Sequence, residues 1–248
     1  MEKLLEICCG SFDDACAASA GGASRIELNS ALFLGGLTPS LGTLAAVKAH
    51  LSLKVVAMVR PRGAGFCYTP GEMEVMEADG RLLMQNGADG LVFGFLDEGF
   101  EVDAEKTRRF AELAHAFGGE AVFHRAFDCV KDPDKAVETL ISLGVDRVLT
   151  SGLADTAPEG AELLAALQRR YGGQIELLAG SGVTPENAPA LMEKTGIMQL
   201  HSSCKDWRRD PTTAGEQVSY SYAPPPHGLD YEAVSAEKVR ALRAAMGL

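Results

Sequence analysis

The chain has 248 residues, 46% of them hydrophobic and 23% charged, with a formal net charge of -11 and a pI near 4.9. That length can bury a large core and matches one α/β barrel of about 250 residues. The acidic balance repels phosphate backbones and argues against a nucleic-acid partner. No apolar run reaches the roughly 18 residues that a membrane span needs.

Met1-Glu2-Lys3 runs straight into Leu4-Leu5-Glu6-Ile7-Cys8-Cys9, which is too short and too charged for an export segment. The six cysteines are scattered and form no CxxC pair, so the expected compartment is a reducing cytoplasm. Short apolar or β-branched runs are expected as strands at Lys3–Cys9, Arg25–Leu28, Lys54–Arg60, Gly90–Gly94, Glu120–His124, Asp146–Thr150, Ile175–Gly180 and Ile197–His201. Amphipathic helical stretches fill the gaps. They start at capping signals such as Ser11, Thr38-Pro39-Ser40, Asp103, Asp132-Pro133 and Thr184-Pro185. They stop at glycines such as Gly21-Gly22, Gly87, Gly118-Gly119, Gly144, Gly172-Gly173 and Gly196.

This alternation predicts an α/β fold, a single (β/α)8 TIM barrel spanning 1–248. No GxGxxG follows the first strand, which disfavours a doubly wound open sheet. Residues 204–231, with three prolines at 224–226, read as a long irregular excursion between the last strand and the last helix.

Side chains alternate along a strand, and the outer face of a barrel strand must be apolar to pack on helices. The polar parity set therefore points inward. It brings Cys8, Glu27, Asn29, Arg60, His124 and His201 to the barrel mouth, with Arg62, Arg125 and Asp128 nearby. Glu6 and Arg25 read as a buried structural pair. Acids, bases and donors converging at the C-terminal ends of strands point to a ligand site.

Within it, His124 is the leading general acid/base candidate, because imidazole titrates near neutrality. Glu27 is the second, provided burial raises its pKa, and Asp128 is placed to orient His124 or bind a ligand. Arg60, Arg62 and Arg125 offer guanidinium forks for carboxylate or phosphate oxygens. The turn Gly180-Ser181-Gly182 after the seventh strand can present backbone N–H groups to an anion, with Ser151 and His201 as further donors. Adjacent Cys8 and Cys9 face opposite ways and cannot share an ion. Cys8 with Cys67, or with a histidine from another element, is the candidate Cu(I) site.

Glu6-Ile7-Cys8-Cys9, Arg25-Ile26-Glu27-Leu28, Gly35 to Gly42, Arg60-Pro61-Arg62-Gly63, Phe66-Cys67-Tyr68, Phe123 to Asp128, Arg147 to Gly152 and His201-Ser202-Ser203 resemble the CutC family in order along the chain. The resemblance implies a cytoplasmic (β/α)8 barrel, a homo-oligomer such as a dimer or tetramer, and a role in copper homeostasis with Cu(I) held by cysteines. Two positions depart from the pattern. Asn29 stands where the family often has Cys, so no thiolate is available there. Gly63-Ala64-Gly65-Phe66 lacks the acid often found after Arg-Pro-Arg.

Two expectations follow. One is a copper-handling protein binding Cu(I) through Cys8 and Cys67. The other is an isomerase- or lyase-type enzyme acting on a small anionic, phosphorylated metabolite at the barrel mouth.

Overall fold

The computed structural model describes residues 3–248. Met1 and Glu2, used in reading the start of the chain, lie outside the described residues. The elements run β1 (Leu4–Cys9), α1 (Phe12–Ala20), β2 (Arg25–Leu28), α2 (Leu41–His50), β3 (Lys54–Met58), α3 (Pro70–Gln85), β4 (Gly90–Phe93), α4 (Ala104–Ala116) and β5 (Glu120–Phe123). They continue with α5 (Pro133–Ser142), β6 (Arg147–Thr150), α6 (Ala161–Tyr171), β7 (Glu176–Ala179), α7 (Ala188–Thr195), β8 (Gln199–Ser202), β9 (Lys205–Arg209), β10 (Asp230–Val234) and α8 (Ala236–Met246).

Strands β1 to β8 pair in parallel and in sequence order, and β8 closes on β1. This is the expected (β/α)8 barrel. No helix among the described residues is long and apolar enough to cross a membrane.

The helix starts follow their caps. Ser11, Ser40, Thr69, Asp103, Asp132 and Ser235 each accept a backbone N–H from the first turn, which satisfies donors the helix cannot pair internally. Helix α7 begins later than its proline signal, because Thr184 and Asn187 first close a turn on each other.

Two layers hold the barrel. Outward-facing Ile7, Ile26, Val55, Leu91, Phe123, Val148, Leu177 and Leu200 belong to the large core packed against the helices. Val56, Met58, Val92 and Val122 form a small apolar plug inside the lumen. Buried ion pairs occupy other parts of the lumen. Arg147 pairs with Glu120 and Glu176, and Arg25 pairs with Glu6. The expected buried pair is therefore present.

Strand β3 stops short of Arg60. The Arg60 N–H goes to Thr38 Oγ1 at 3.0 Å, and the Arg60 carbonyl accepts the Thr38 N–H at 3.0 Å. The β2–α2 loop thus replaces a strand partner.

The segment 204–231 is more regular at its ends than its composition predicts. Strands β9 and β10 form an antiparallel ribbon in which Trp207 opposes Glu232. The pairing joins residues about 25 apart across the proline-rich stretch, a long-range relation that no local pattern shows.

Candidate functional site

The mouth of the barrel holds a cavity of about 770 Å³. Its wall includes Cys8, Glu27, Met58, Arg60, Phe66, His124, Arg125, Asp128 and His201. The parity argument thus places residues from five strands around one space. Residues it missed also line the cavity: Asp14 from α1, Asp155 from the loop after β6, and Lys205, Glu232 and Val234 from the ribbon.

The floor is built by strand register. Glu6 lies beside both Arg25 and His201, and Cys8 lies beside Glu27. The Arg25 Nε donates to Glu6 Oε2 at 2.5 Å, and its Nη2 donates to Gln199 Oε1 at 2.8 Å. The second Glu6 oxygen lies 2.8 Å from His201 Nδ1. Burial alone would raise the Glu6 pKa, but Arg25 and His201 outweigh it and bring the carboxyl down to about 2. Burial would lower His201, yet Glu6 and Glu27 hold it above the ordinary imidazole value.

Above this pair, donor atoms of Cys8, Glu27 and His201 lie within 4.8 Å of one another. With Nδ1 committed to Glu6, the His201 Nε2 is the nitrogen left for a ligand, an arrangement that fixes histidine ligands in metal sites. Glu27 accepts the Asn29 side-chain N–H at 2.7 Å through Oε1, while its Oε2 is buried without a partner. Burial pushes the Glu27 carboxyl up, which meets the condition set for it from the sequence. The Cys8 thiol is also pushed well up, by burial first and then by Glu27.

The opposite wall carries His124 and Arg60. His124 Nδ1 accepts the Ala126 N–H at 3.0 Å. In the neutral ring the proton therefore sits on Nε2, which is buried and unpartnered. Burial and the Arg60 charge bring the His124 pKa down to about 3. This corrects the expectation of a neutral-pH acid/base: the ring is a fixed, uncharged donor.

Arg60 is held by backbone carbonyls. Its Nη1 donates to Leu34 O and Gly36 O at 3.0 and 3.1 Å, and its Nη2 donates to Ala64 O at 2.7 Å. Phe66 lies 5.2 Å from the guanidinium and 5.0 Å from the His124 ring.

Several expected partners are elsewhere. Asp128 does not orient His124. Its carboxylate is occupied by the Thr150 hydroxyl at 2.5 Å, the Ser151 N–H at 3.0 Å and Arg125 Nε at 2.7 Å. Ser151 is wholly buried in that same network, bonded to Arg125. Arg62 turns outward to Glu72, which also caps α3, and does not line the cavity. Cys67 is exposed, and the group gathered around Cys8 contains Glu27 and His201 instead.

The turn Gly180-Ser181-Gly182 does not line the cavity either. The loop after β6 packs against it and leaves Gly182 exposed. Ser181 Oγ donates to Asp155 O at 2.7 Å, and Thr156 packs where a Gly182 side chain would stand.

A sequence model of the CutC family matches residues 3–206. The chain belongs to the CutC family. A CutC family protein of Treponema denticola is 51% identical over 216 residues, covering 87% of each chain. The human copper homeostasis protein cutC homolog is 43% identical over 205 residues, covering 83% of this chain and 74% of its own. A crystal structure of a CutC copper homeostasis protein from Streptococcus agalactiae has a TM-score of 0.77 at 31% identity, covering 82% of this chain and 99% of that one. The family match ends at 206, so most of the β9–β10 ribbon lies beyond it.

Proposed function

We propose that this CutC barrel is an enzyme acting on a small molecule held in the mouth. One observation carries the reading. Glu27 Oε2 and His124 Nε2 are both buried, both without a partner, and both belong to residues lining the same cavity. Buried polar atoms are normally paired, and leaving them unpaired is costly. One bound substrate that offers a polar group to each wall satisfies both.

The chemistry these residues can supply is proton transfer with oxyanion stabilisation, the pattern of isomerases and lyases. Glu27, its carboxyl pushed up by burial, is the group placed to exchange the proton. Neutral His124 donates a hydrogen bond to an oxygen that gains charge. The six unpaired cysteines, two of them exposed, support a reducing cytoplasm as the site of action.

A metabolite screen by thermal shift at pH 7 tests this. A ligand is expected to raise the melting midpoint of the natural chain, and the rise is expected to disappear in His124→Ala and Glu27→Gln. No shift by any metabolite, or a shift unchanged in both variants, refutes the reading.

A second reading, Cu(I) binding, is favoured by the Cys8, Glu27 and His201 cluster. A thiolate and an imidazole suit Cu(I), whereas the carboxylate is a harder donor, and Asn29 supplies no second thiolate. Cys8 and His201 would hold the ion, with Glu6 fixing His201. Anaerobic Cu(I) titration against a competing chelator tests it: stoichiometric binding lost in Cys8→Ser is expected, and full surrender of copper to a weak chelator refutes it.

A further inference from the structure

We infer that the ligand of the mouth carries a single carboxylate, held by Arg60 and His124, and that it is a small hydroxy- or oxo-carboxylic acid. This rests on the reading that the cavity is the substrate site.

Three arginines are buried: Arg25, Arg60 and Arg147. Arg25 has Glu6, and Arg147 has Glu120 and Glu176. Arg60, only 5% exposed, makes no ion pair with any described carboxylate and is met by three carbonyl oxygens instead. A buried cation without a counter-ion is a costly arrangement. The same carbonyls that position it leave its charge uncompensated.

A guanidinium has five N–H groups. Three are used on the carbonyls, which leaves the Nε–H and one N–H of Nη2, with the neutral Tyr68 hydroxyl lying against the same guanidinium. The Nε is buried and unpartnered. The His124 Nε2–H is likewise unpartnered, and Phe66 packs against both side chains. Two kinds of donor therefore wait in one wall, one of them charged. They call for an anionic oxygen acceptor, and guanidinium donors suit the paired oxygens of a carboxylate.

The other cations of the lining decide the charge of that anion. Arg125 is paired with Asp128, and Lys205 with Glu232. Asp14 and Asp155 also face the cavity. A phosphate monoester would bring a second negative charge that, of the cations in the lining, only His201, already bonded to Glu6, is left to meet, and the Gly180–Gly182 turn is not part of the lining. A carboxylate matches the single charge of Arg60. On the far side Glu27 Oε2 calls for a hydroxyl or carbonyl oxygen on the same molecule, while Met58, Phe66 and Leu149 supply apolar wall.

The test uses the full chain and calorimetric titration with a matched set: hydroxy- and oxo-carboxylates of three to six carbons, their amides, and phosphate monoesters of similar length. At least one carboxylate is expected to bind, with its amide at least tenfold weaker. Arg60→Gln is expected to weaken the carboxylate at least tenfold and the amide less than twofold. Arg60→Lys keeps the charge but loses the fork, and serves if Arg60→Gln fails to fold; it is expected to weaken the carboxylate at least fivefold.

Amides that bind as well as their acids, or phosphate esters that bind more tightly than carboxylates, overturn the inference while leaving the enzyme reading intact. Absence of binding across the set also overturns it. The enzyme reading itself fails only in the broader metabolite screen.

Discussion

Glu6 Oε1 and His201 Nδ1 lie 2.8 Å apart at the floor of the barrel mouth, and the other Glu6 oxygen takes Arg25 Nε at 2.5 Å. One wholly buried carboxylate thus neutralises a guanidinium and orients an imidazole. The two titrations bound its working range. Glu6 is depressed to about 2, so its contribution is present above the ordinary carboxylate range and is lost as pH falls towards 2. His201 is raised, so its contribution is full below the ordinary imidazole value and is lost as pH rises through the raised one. The pair contributes most between about pH 4.5 and 6.5.

Glu6→Gln leaves Arg25 buried without a carboxylate. The expected loss is about 3–5 kcal/mol in urea unfolding at pH 6, the usual result of removing one partner from a buried pair. A loss under about 1 kcal/mol would show that hydrogen bonds from Arg25 to Gln199 and water solvate the charge well enough instead.

His124 is expected to stay neutral from pH 5 to 8, carrying its proton on Nε2. Its folded pKa of about 3 lies below the ordinary 6.5, with burial and Arg60 as the causes. The unfolded chain takes up a proton near 6.5 and the folded chain does not, so this residue costs stability as pH falls from 6.5 towards 3. Nitrogen-15 NMR of labelled histidine checks both points. A resonance assigned to His124 that titrates with a midpoint near 6.5 contradicts the assignment.

The eightfold alternation and the inward parity of Glu27, Arg60, His124 and His201 were legible in the sequence because strand period and helix caps are local signals. Their state of charge was not. His124 looks like an acid/base until the Ala126 N–H and the neighbouring Arg60 are seen. Arg60 and Arg62 look equivalent, two residues apart. The β2–α2 loop folds over the first and Glu72 captures the second, and both partners depend on loop paths. The Gly180–Gly182 turn reads as an anion cradle until it is seen to lie outside the cavity lining, against the loop after β6. The ribbon was hidden for a similar reason, since β9 meets β10 only across the proline-rich stretch.

Asp14 ties that ribbon to the barrel. Its Oδ1 accepts the Val234 N–H at 2.8 Å and its Oδ2 accepts the Gly10 N–H at 3.0 Å. Asp14→Ala strands a buried donor on β10, a cost of about 1–3 kcal/mol. The cost is expected to appear first as local opening, with faster protease cleavage within 210–229 and faster amide exchange at Val234. Unchanged cleavage with a lowered global midpoint would show that Asp14 supports α1 rather than the ribbon.

Glu27→Gln separates stability from function. The Glu27 carboxyl is buried, is 3% exposed and has one oxygen without a partner, and burial raises its pKa. In the unfolded chain it ionises near the ordinary 4.5. Folding stability therefore falls as pH rises through that value and levels off only above the raised one. A glutamine has nothing to ionise and escapes that fall. The variant is expected to match the natural chain near pH 4.5 and to exceed it by roughly 0.5–2 kcal/mol at pH 8, a gain of the size found where an active site holds strain. The same variant is expected to lose its response to ligand. Denaturant unfolding at the two pH values, with the thermal-shift screen alongside, reads both effects. A variant less stable at pH 8 than at pH 4.5, relative to the natural chain, would mean that Glu27 works as an ionised structural partner of His201.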